Sequence, residues 1–365
     1  MKSPYVYFGG KSRVAPLVWE RLGDPGNFVE PFFGSGAVTL ARPHWPFKGS
    51  RTETINDADG MVANFWRALK ADPETTAEWA DQPVFENDLH ARHVWLRERV
   101  PGLRERLEGD PDYYDAKIAG FWVWGMACWI GSGWCGEAGK GPWVVEERDG
   151  ERVFVKSTEG QGVKRKLPHL GDAGQGVKRQ LPHLGAGQGV KRQLPHLGAG
   201  RGVSRQLPHL GDAGQGVVKS GVREWFDELA DRMRYVRVCC GEWDRVCGPS
   251  VTFKHGTTGI FLDPPYDLEV RCDGCYTVDR SGIAAEVLAW CVENGQNPLL
   301  RIALCGYEGE HNHLAEDHGW DCVAWKAHGG FGVQGKNIST GKENAHKERI
   351  WFSPHCLKPN QQTLF

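Results

Sequence analysis

The stretch Asn27–Val38, NFVEPFFGSGAV, decides the fold. Its first residues read as a short buried strand, Gly34 and Gly36 as a tight turn, and the residues from Ala37 as the start of a helix. A strand feeding a helix through a glycine turn is the opening unit of a parallel α/β sheet. Glycines in such a turn let a ligand approach the backbone closely, and a helix start favours negative charge. The stretch matches neither GxGxxG nor GxxxxGK[ST], and it has no phosphate-holding lysine. A phosphate ligand is therefore not favoured, and a small cofactor bearing a carboxylate fits the turn as well. A plain strand-to-helix turn is the structural alternative.

The same rhythm extends on both sides. SRVAPLVWERLG puts Val14, Leu17, Val18 and Leu22 on one helical face, with Gly23 as its stop. TETIND is a second strand, and GMVANFWRALKADP is a helix with Val62, Phe65, Trp66 and Leu69 inward, closed by Pro73. From about residue 75 to 222 the rhythm lapses into charged helical segments, a tryptophan-rich run and a repeat. It resumes with a helix carrying Val222, Trp225, Phe226, Leu229 and Met233, then a strand from Val236 and three more, GIFL, LLRIALC and ERIWF. These features predict one α/β domain written in two pieces. Residues 1–75 form its first half, 76–235 an insertion, 236–356 its second half and 357–365 a flexible tail.

Of 365 residues, 40% are hydrophobic and 25% charged, the composition of an ordinary globular protein. No apolar run approaches the ~20 residues of a membrane helix, and the start MKSPYVYFGGK lacks a signal-peptide core, so a cytoplasmic location is expected. The eleven cysteines are then expected to be reduced thiols. Cys272 and Cys275 form one CxxC without a second pair at zinc-site spacing, and no metal is expected. A net charge of −2 leaves any nucleic-acid contact to local patches.

The second informative stretch is Gly259–Asp267, GIFLDPPYD. An amine conjugated to a heteroaromatic ring is a poor nucleophile, because its lone pair is delocalised. Oxygens that accept its hydrogens localise that pair as attack begins. Asp263 supplies one acceptor and Pro264 a carbonyl held by two fixed proline φ values, with Pro265 the second. Tyr266 offers a face on which a planar base can stack. A strand-ending turn is the plain alternative. Asp57, closing the second strand, is placed to accept from ribose hydroxyls; the alternative is a helix cap, since Asp57 and Asp59 both precede a helix.

Taken together, YFGGK at 7–11, VEPFFGSGAV at 29–38, IND at 55–57 and LDPPY at 262–266 resemble, in content and order, the Dam-type (D12 class, alpha-group) DNA adenine N(6)-methyltransferases. The resemblance implies a Rossmann-like methyltransferase fold with a mixed sheet and a reversed last strand. It implies S-adenosylmethionine as donor and the N(6) amine of a flipped adenine in duplex DNA as acceptor, with direct transfer. Tyr7, Lys11, Glu30, Pro31, Phe32, Gly34, Gly36 and Asp57 would then enclose the cofactor. Glu242 and Trp243 would lie near its adenine, with Glu242 standing where an aspartate is commoner. Asp263, Pro264, Pro265 and Tyr266 would hold the target base.

In that family the insertion reads DNA sequence. Its run FWVWGMACWIGSGWCGEAGKGPW is either a packed aromatic helix or a source of rings that meet bases. The unit GQGVKRQLPHLG recurs from Gly160, Gly174, Gly187 and Gly200, and residues 160–219 hold ten basic against two acidic side chains. Lys164, Arg165, Lys178, Arg179, Lys191, Arg192 and Arg205 are therefore candidate phosphate contacts, and a tandem-duplicated surface loop is the alternative. The ending QQTLF is a candidate clamp-binding peptide, and a restriction enzyme a candidate partner. A monomer at the nucleoid is expected. An RNA adenine methyltransferase and a nucleic-acid-binding protein without activity are the competing readings.

Overall fold

The alternation of buried strands with one-sided helices produces a single large sheet. The computed structural model describes residues 1–5, 7, 10–47, 49–129, 134–135, 143–148, 151–156, 221–265, 282–325 and 346–359. The first half contains α1 (Ala15–Leu22), β1 (Asn27–Glu30), α2 (Ala37–Leu40), β2 (Thr52–Asp57) and α3 (Gly60–Ala71). Gly23 ends α1 in the left-handed region at φ 69°, returning its N–H to the Trp19 carbonyl, as the glycine stop requires. All four residues of β1 are buried. Between β2 and the next sheet strand run α4 (Pro73–Ala80), α5 (Glu86–Arg97), α6 (Leu103–Gly109), α7 (Ala116–Cys128), the hairpin β3 (Trp143–Arg148) and β4 (Glu151–Lys156), and α8 (Val222–Met233). The second half supplies β5 (Val236–Cys240), β6 (Thr258–Leu262), α9 (Ile283–Asn294), β7 (Leu300–Tyr307), α10 (Asn312–His318), β8 (Asp321–Ala324) and β9 (Glu348–Phe352).

The seven-stranded sheet has the order β5-β2-β1-β6-β7-β9-β8. The pairings from β5 across to β7 are parallel, whereas β9 runs antiparallel to both β7 and β8. The expected Rossmann-like methyltransferase architecture, with its mixed sheet and reversed last strand, is thus the one observed. The strand order reverses direction between β1 and β6. In open α/β sheets the crevice beyond the carboxyl ends at such a point is where ligands bind.

Cores on the two faces hold the sheet. Phe65, Trp66 and Leu69 of α3 and Phe226 and Leu229 of α8 are fully buried in one, each such side chain contributing about 2 kcal/mol. The tryptophan run begins as a helix: Trp122 and Trp124 of α7 are buried, and α7 packs chiefly on α4 and α3. One local expectation is corrected. Pro73 does not simply close α3, since Asp72 caps a new helix there by accepting from Thr75 N. β8 is a strand without a strand signal of its own, mostly exposed and non-alternating, and it forms by pairing with β9. No helix of the described residues is long and apolar enough to cross a membrane. The nine described cysteines are free thiols.

Candidate active site

At the switch point, the end of β1 runs straight into the glycine turn. Gly34 and Gly36 both sit at positive φ, 47° and 68°. A Cβ on Gly34 would lie 2.7 Å from the Tyr7 ring, and one on Gly36 would lie 2.6 Å from the Phe33 ring, so neither position admits a side chain. Tyr7 is thereby placed directly over the turn.

The strand ends are stitched together by backbone and amide hydrogen bonds. Asn56 Nδ2 donates to the carbonyls of Pro31 (3.1 Å) and Gly241 (2.9 Å), joining the ends of β1 and β5 through β2. Phe33 N donates to the Asn56 carbonyl and Gly241 N to the Asp57 carbonyl. Asp57 accepts from Gly34 N at 2.8 Å and from Asp59 N at 2.9 Å. Its carboxyl is pushed up to about 7, first by loss of solvent and then by the neighbouring charge of Asp59. Of the two acids before α3, Asp59 is the cap, accepting from Met61 N at 2.8 Å. Asp57 instead braces the glycine turn.

Glu30 is buried under the turn. Its Oε2 accepts from both Thr39 N (3.1 Å) and Thr39 Oγ1 (2.5 Å). Burial raises this carboxyl to about 8; the Thr39 bonds oppose the rise, and the charges of Asp263 and Glu53 add to it. Beyond β6, Asp263 meets Lys11 from the first motif, with Nζ 2.9 Å from Oδ1. Lys11 is 4% exposed and Asp263 19%, so the ion pair lies in the protein while the carboxylate keeps an open side. Burial alone would lower the Lys11 ammonium, but Asp263, Cys305 and Glu348 override it and the net shift is upward. Pro264 is buried and Pro265 half-buried behind the acid.

Phe32 stacks on Trp243 with ring centroids 6.1 Å apart and planes at 24°, and Trp290 meets Trp243 edge-on. Glu242 is the outlier of the predicted set. Its side chain is 43% exposed and pairs with Arg104 at 3.4 Å. The structure therefore brings Tyr7, Lys11, Glu30, Pro31, Phe32, Gly34, Gly36, Asp57, Trp243, Asp263, Pro264 and Pro265 to one end of the sheet, with Glu242 at its rim. Tyr266, the repeat residues Lys164, Arg165, Lys178, Arg179, Lys191, Arg192 and Arg205, Cys272 and Cys275, and the QQTLF ending lie outside the described residues.

Two residues that the sequence reading passed over belong here. Asn56 ties three strand ends, and the only hint was its place in IND. Tyr5 donates its hydroxyl to the Gly34 carbonyl at 2.6 Å. Among the described residues no group of three or more His, Cys, Asp or Glu side chains could hold a metal ion. The chemistry on offer is that of hydrogen-bond acceptors gathered beyond the strand ends at the switch point. The crevice has carboxyl groups at three strand ends, an aromatic pair, a glycine turn open to close approach, and the buried Asn56 Oδ1, which has no hydrogen-bond partner among the described residues.

With this geometry, residues 7–109 match the family model of D12 class N6 adenine-specific DNA methyltransferases. The match spans Tyr7, Lys11, the Glu30–Gly36 segment and Asp57, and it bears out the resemblance read from the motifs. Comparison with curated proteins gives no match.

Proposed function

We propose, on the premise of that family match, that the chain transfers a methyl group from S-adenosylmethionine to the N(6) amine of adenine within a specific DNA sequence. The match supports adenine methylation of DNA, and enzymes of this class normally use that donor. The observation that carries the reading is the Lys11–Asp263 contact at 2.9 Å, which closes the two distant motif sets onto one crevice at the sheet's switch point.

The crevice suits the donor. Asp263 brings a carboxylate and Asp57 a carboxyl acceptor toward the ligand, Glu30 braces the turn from beneath through Thr39, and the Phe32–Trp243 pair presents apolar ring faces to a purine. When bound, S-adenosylmethionine supplies an electrophilic methyl group on a sulfonium. Lys11 holds Asp263 through one carboxylate oxygen, and a carboxylate has acceptor sites for more than one donor. Asp263 and the Pro264 carbonyl each accept a hydrogen bond from the target amine and localise its lone pair, and the one proton that the nitrogen sheds on gaining the methyl passes by way of Asp263 to solvent. Tyr266 stacks on the base, offsetting the few kcal/mol that extrusion from the duplex costs. The basic repeats contribute phosphate contacts, and the enzyme acts as a cytoplasmic, nucleoid-associated monomer.

Expression in a host without adenine methylation tests this. Sequencing of the host DNA should show methylated adenines confined to one short sequence context. DNA no more methylated than that from cells expressing Asp263→Asn would overturn the reading.

A further inference from the structure

Gly34 is restrained from every side. Its N–H is bonded to Asp57, and the Tyr7 ring covers its α-carbon. Its carbonyl oxygen accepts two donors, Tyr5 Oη at 2.6 Å and Trp66 Nε1 at 3.2 Å. Trp66 Nε1 also lies 3.1 Å from Tyr5 Oη, so phenol, indole and carbonyl form a closed triangle. Tyr5 is only 4% exposed. Its ring meets Trp122 of α7 edge-on at 4.8 Å, so a residue of the chain between β2 and β5 fixes where that phenol stands. Burial pushes the Tyr5 hydroxyl well upward and the charge of Asp57 adds to this, so it stays a protonated donor throughout the neutral range.

A left-handed glycine has a wide choice of backbone conformations, and a turn built on one needs its peptide planes fixed from outside. The peptide that carries the Gly34 carbonyl leads toward Gly36, so the phenol sets the direction of the turn the donor must meet. We infer that Tyr5 is a positioning residue for the donor-binding turn, acting through the Gly34 carbonyl together with Trp66. This rests on the proposed methyltransferase reading and extends it to a residue that touches neither donor nor base.

The test uses the full chain and its Tyr5→Phe and Trp66→Phe variants. S-adenosylmethionine affinity is measured by calorimetry, KM and kcat with duplex DNA, and melting temperature alongside. Tyr5→Phe keeps the ring and its contact with Trp122 while removing one of two donors to a buried acceptor. Its dissociation constant and KM for S-adenosylmethionine should rise about fivefold, with kcat changed less than about twofold. The melting temperature should stay within about 2 °C. Trp66→Phe should show the same split to a smaller degree, because its bond is the longer. Unchanged donor affinity in Tyr5→Phe overturns the inference alone. So does a loss that follows a lowered melting temperature in both variants, which would reduce Tyr5 to a core residue. Absence of S-adenosylmethionine binding by the unmodified chain overturns the methyltransferase reading itself, and this inference with it.

Discussion

Two buried ion clusters lie near the same sheet, and they are built differently. In the first, the Arg232 guanidinium forks onto Glu53, Nη1 to Oε2 at 2.6 Å and Nη2 to Oε1 at 2.7 Å. Arg42 approaches the same carboxylate at 3.2 Å, reaches Asp24 at 2.8 Å through Nε, and donates to the Pro25 carbonyl. Glu53 is 5% exposed and both arginines are almost wholly buried. In the second, Lys11 Nζ lies 2.9 Å from one oxygen of Asp263, which keeps 19% of its side chain exposed. The forked cluster is sealed by geometry and ties α8 to β2. The lysine pair is a point charge against an acid that still faces the crevice. Sealed pairs serve the fold; an acid that keeps an open side at a switch point is available for chemistry.

The largest expected effect breaks the sealed cluster. Glu53→Ala would leave two guanidinium groups buried without their carboxylate and should cost about 3–5 kcal/mol in denaturant unfolding. A cost below about 1 kcal/mol would show that the cluster is no more structural than a surface pair.

Next comes the open pair. Asp263→Asn keeps size and fold but removes the charged acceptor, and methyl transfer should fall at least about a hundredfold, with unfolding midpoint changed far less than by Glu53→Ala. Should both substitutions chiefly unfold the protein, the contrast between the clusters fails.

A smaller effect concerns pH. Burial lifts Glu30 from its ordinary 4.5 to about 8, against two Thr39 hydrogen bonds and with the charges of Asp263 and Glu53 adding to the rise. Because the folded value is the higher, the fold favours the protonated acid. That stabilisation is complete below about pH 4.5 and is lost as pH climbs through about 8. Glu30→Gln should therefore shrink the fall in melting temperature between about pH 6 and 9, leaving what Asp57, raised to about 7, contributes. An unchanged fall would assign the titration elsewhere.

The smallest effect belongs to Glu242. Its rim pair with Arg104 is largely exposed, and Glu242→Ala should alter stability by no more than about 0.5 kcal/mol. Its effect on donor KM then sharpens the boundary of the site. A large rise would draw Glu242 into the donor pocket, and none would leave it to the surface.

Much of this could be read from the chain because the signals were local. Gly23 had to stop α1, β1 had to be buried, and the glycines at 34 and 36 had to permit positive φ. What could not be read depended on distant partners. Nothing near Lys11 announces that it would meet Asp263, and nothing near Tyr5 announces that its hydroxyl would hold Gly34. Asn56 looked like one letter of a motif, yet it gathers the ends of β1 and β5. Pro73 reads alike as a helix stop and as a first helical residue, and only the Asp72 cap separates the two. β8 is exposed along most of its length and is recruited by pairing with β9 rather than by its own pattern.

The central claim is that this crevice methylates adenine in DNA. Purified chain, S-adenosylmethionine labelled in its methyl group, and unmethylated duplex DNA provide the most direct measurement, with the product digested to nucleosides and separated. The account predicts that the label appears in N(6)-methyladenine and that Asp263→Asn abolishes it. Label in another base, in RNA alone, or in N(6)-methyladenine at equal rate with Asp263→Asn would contradict it.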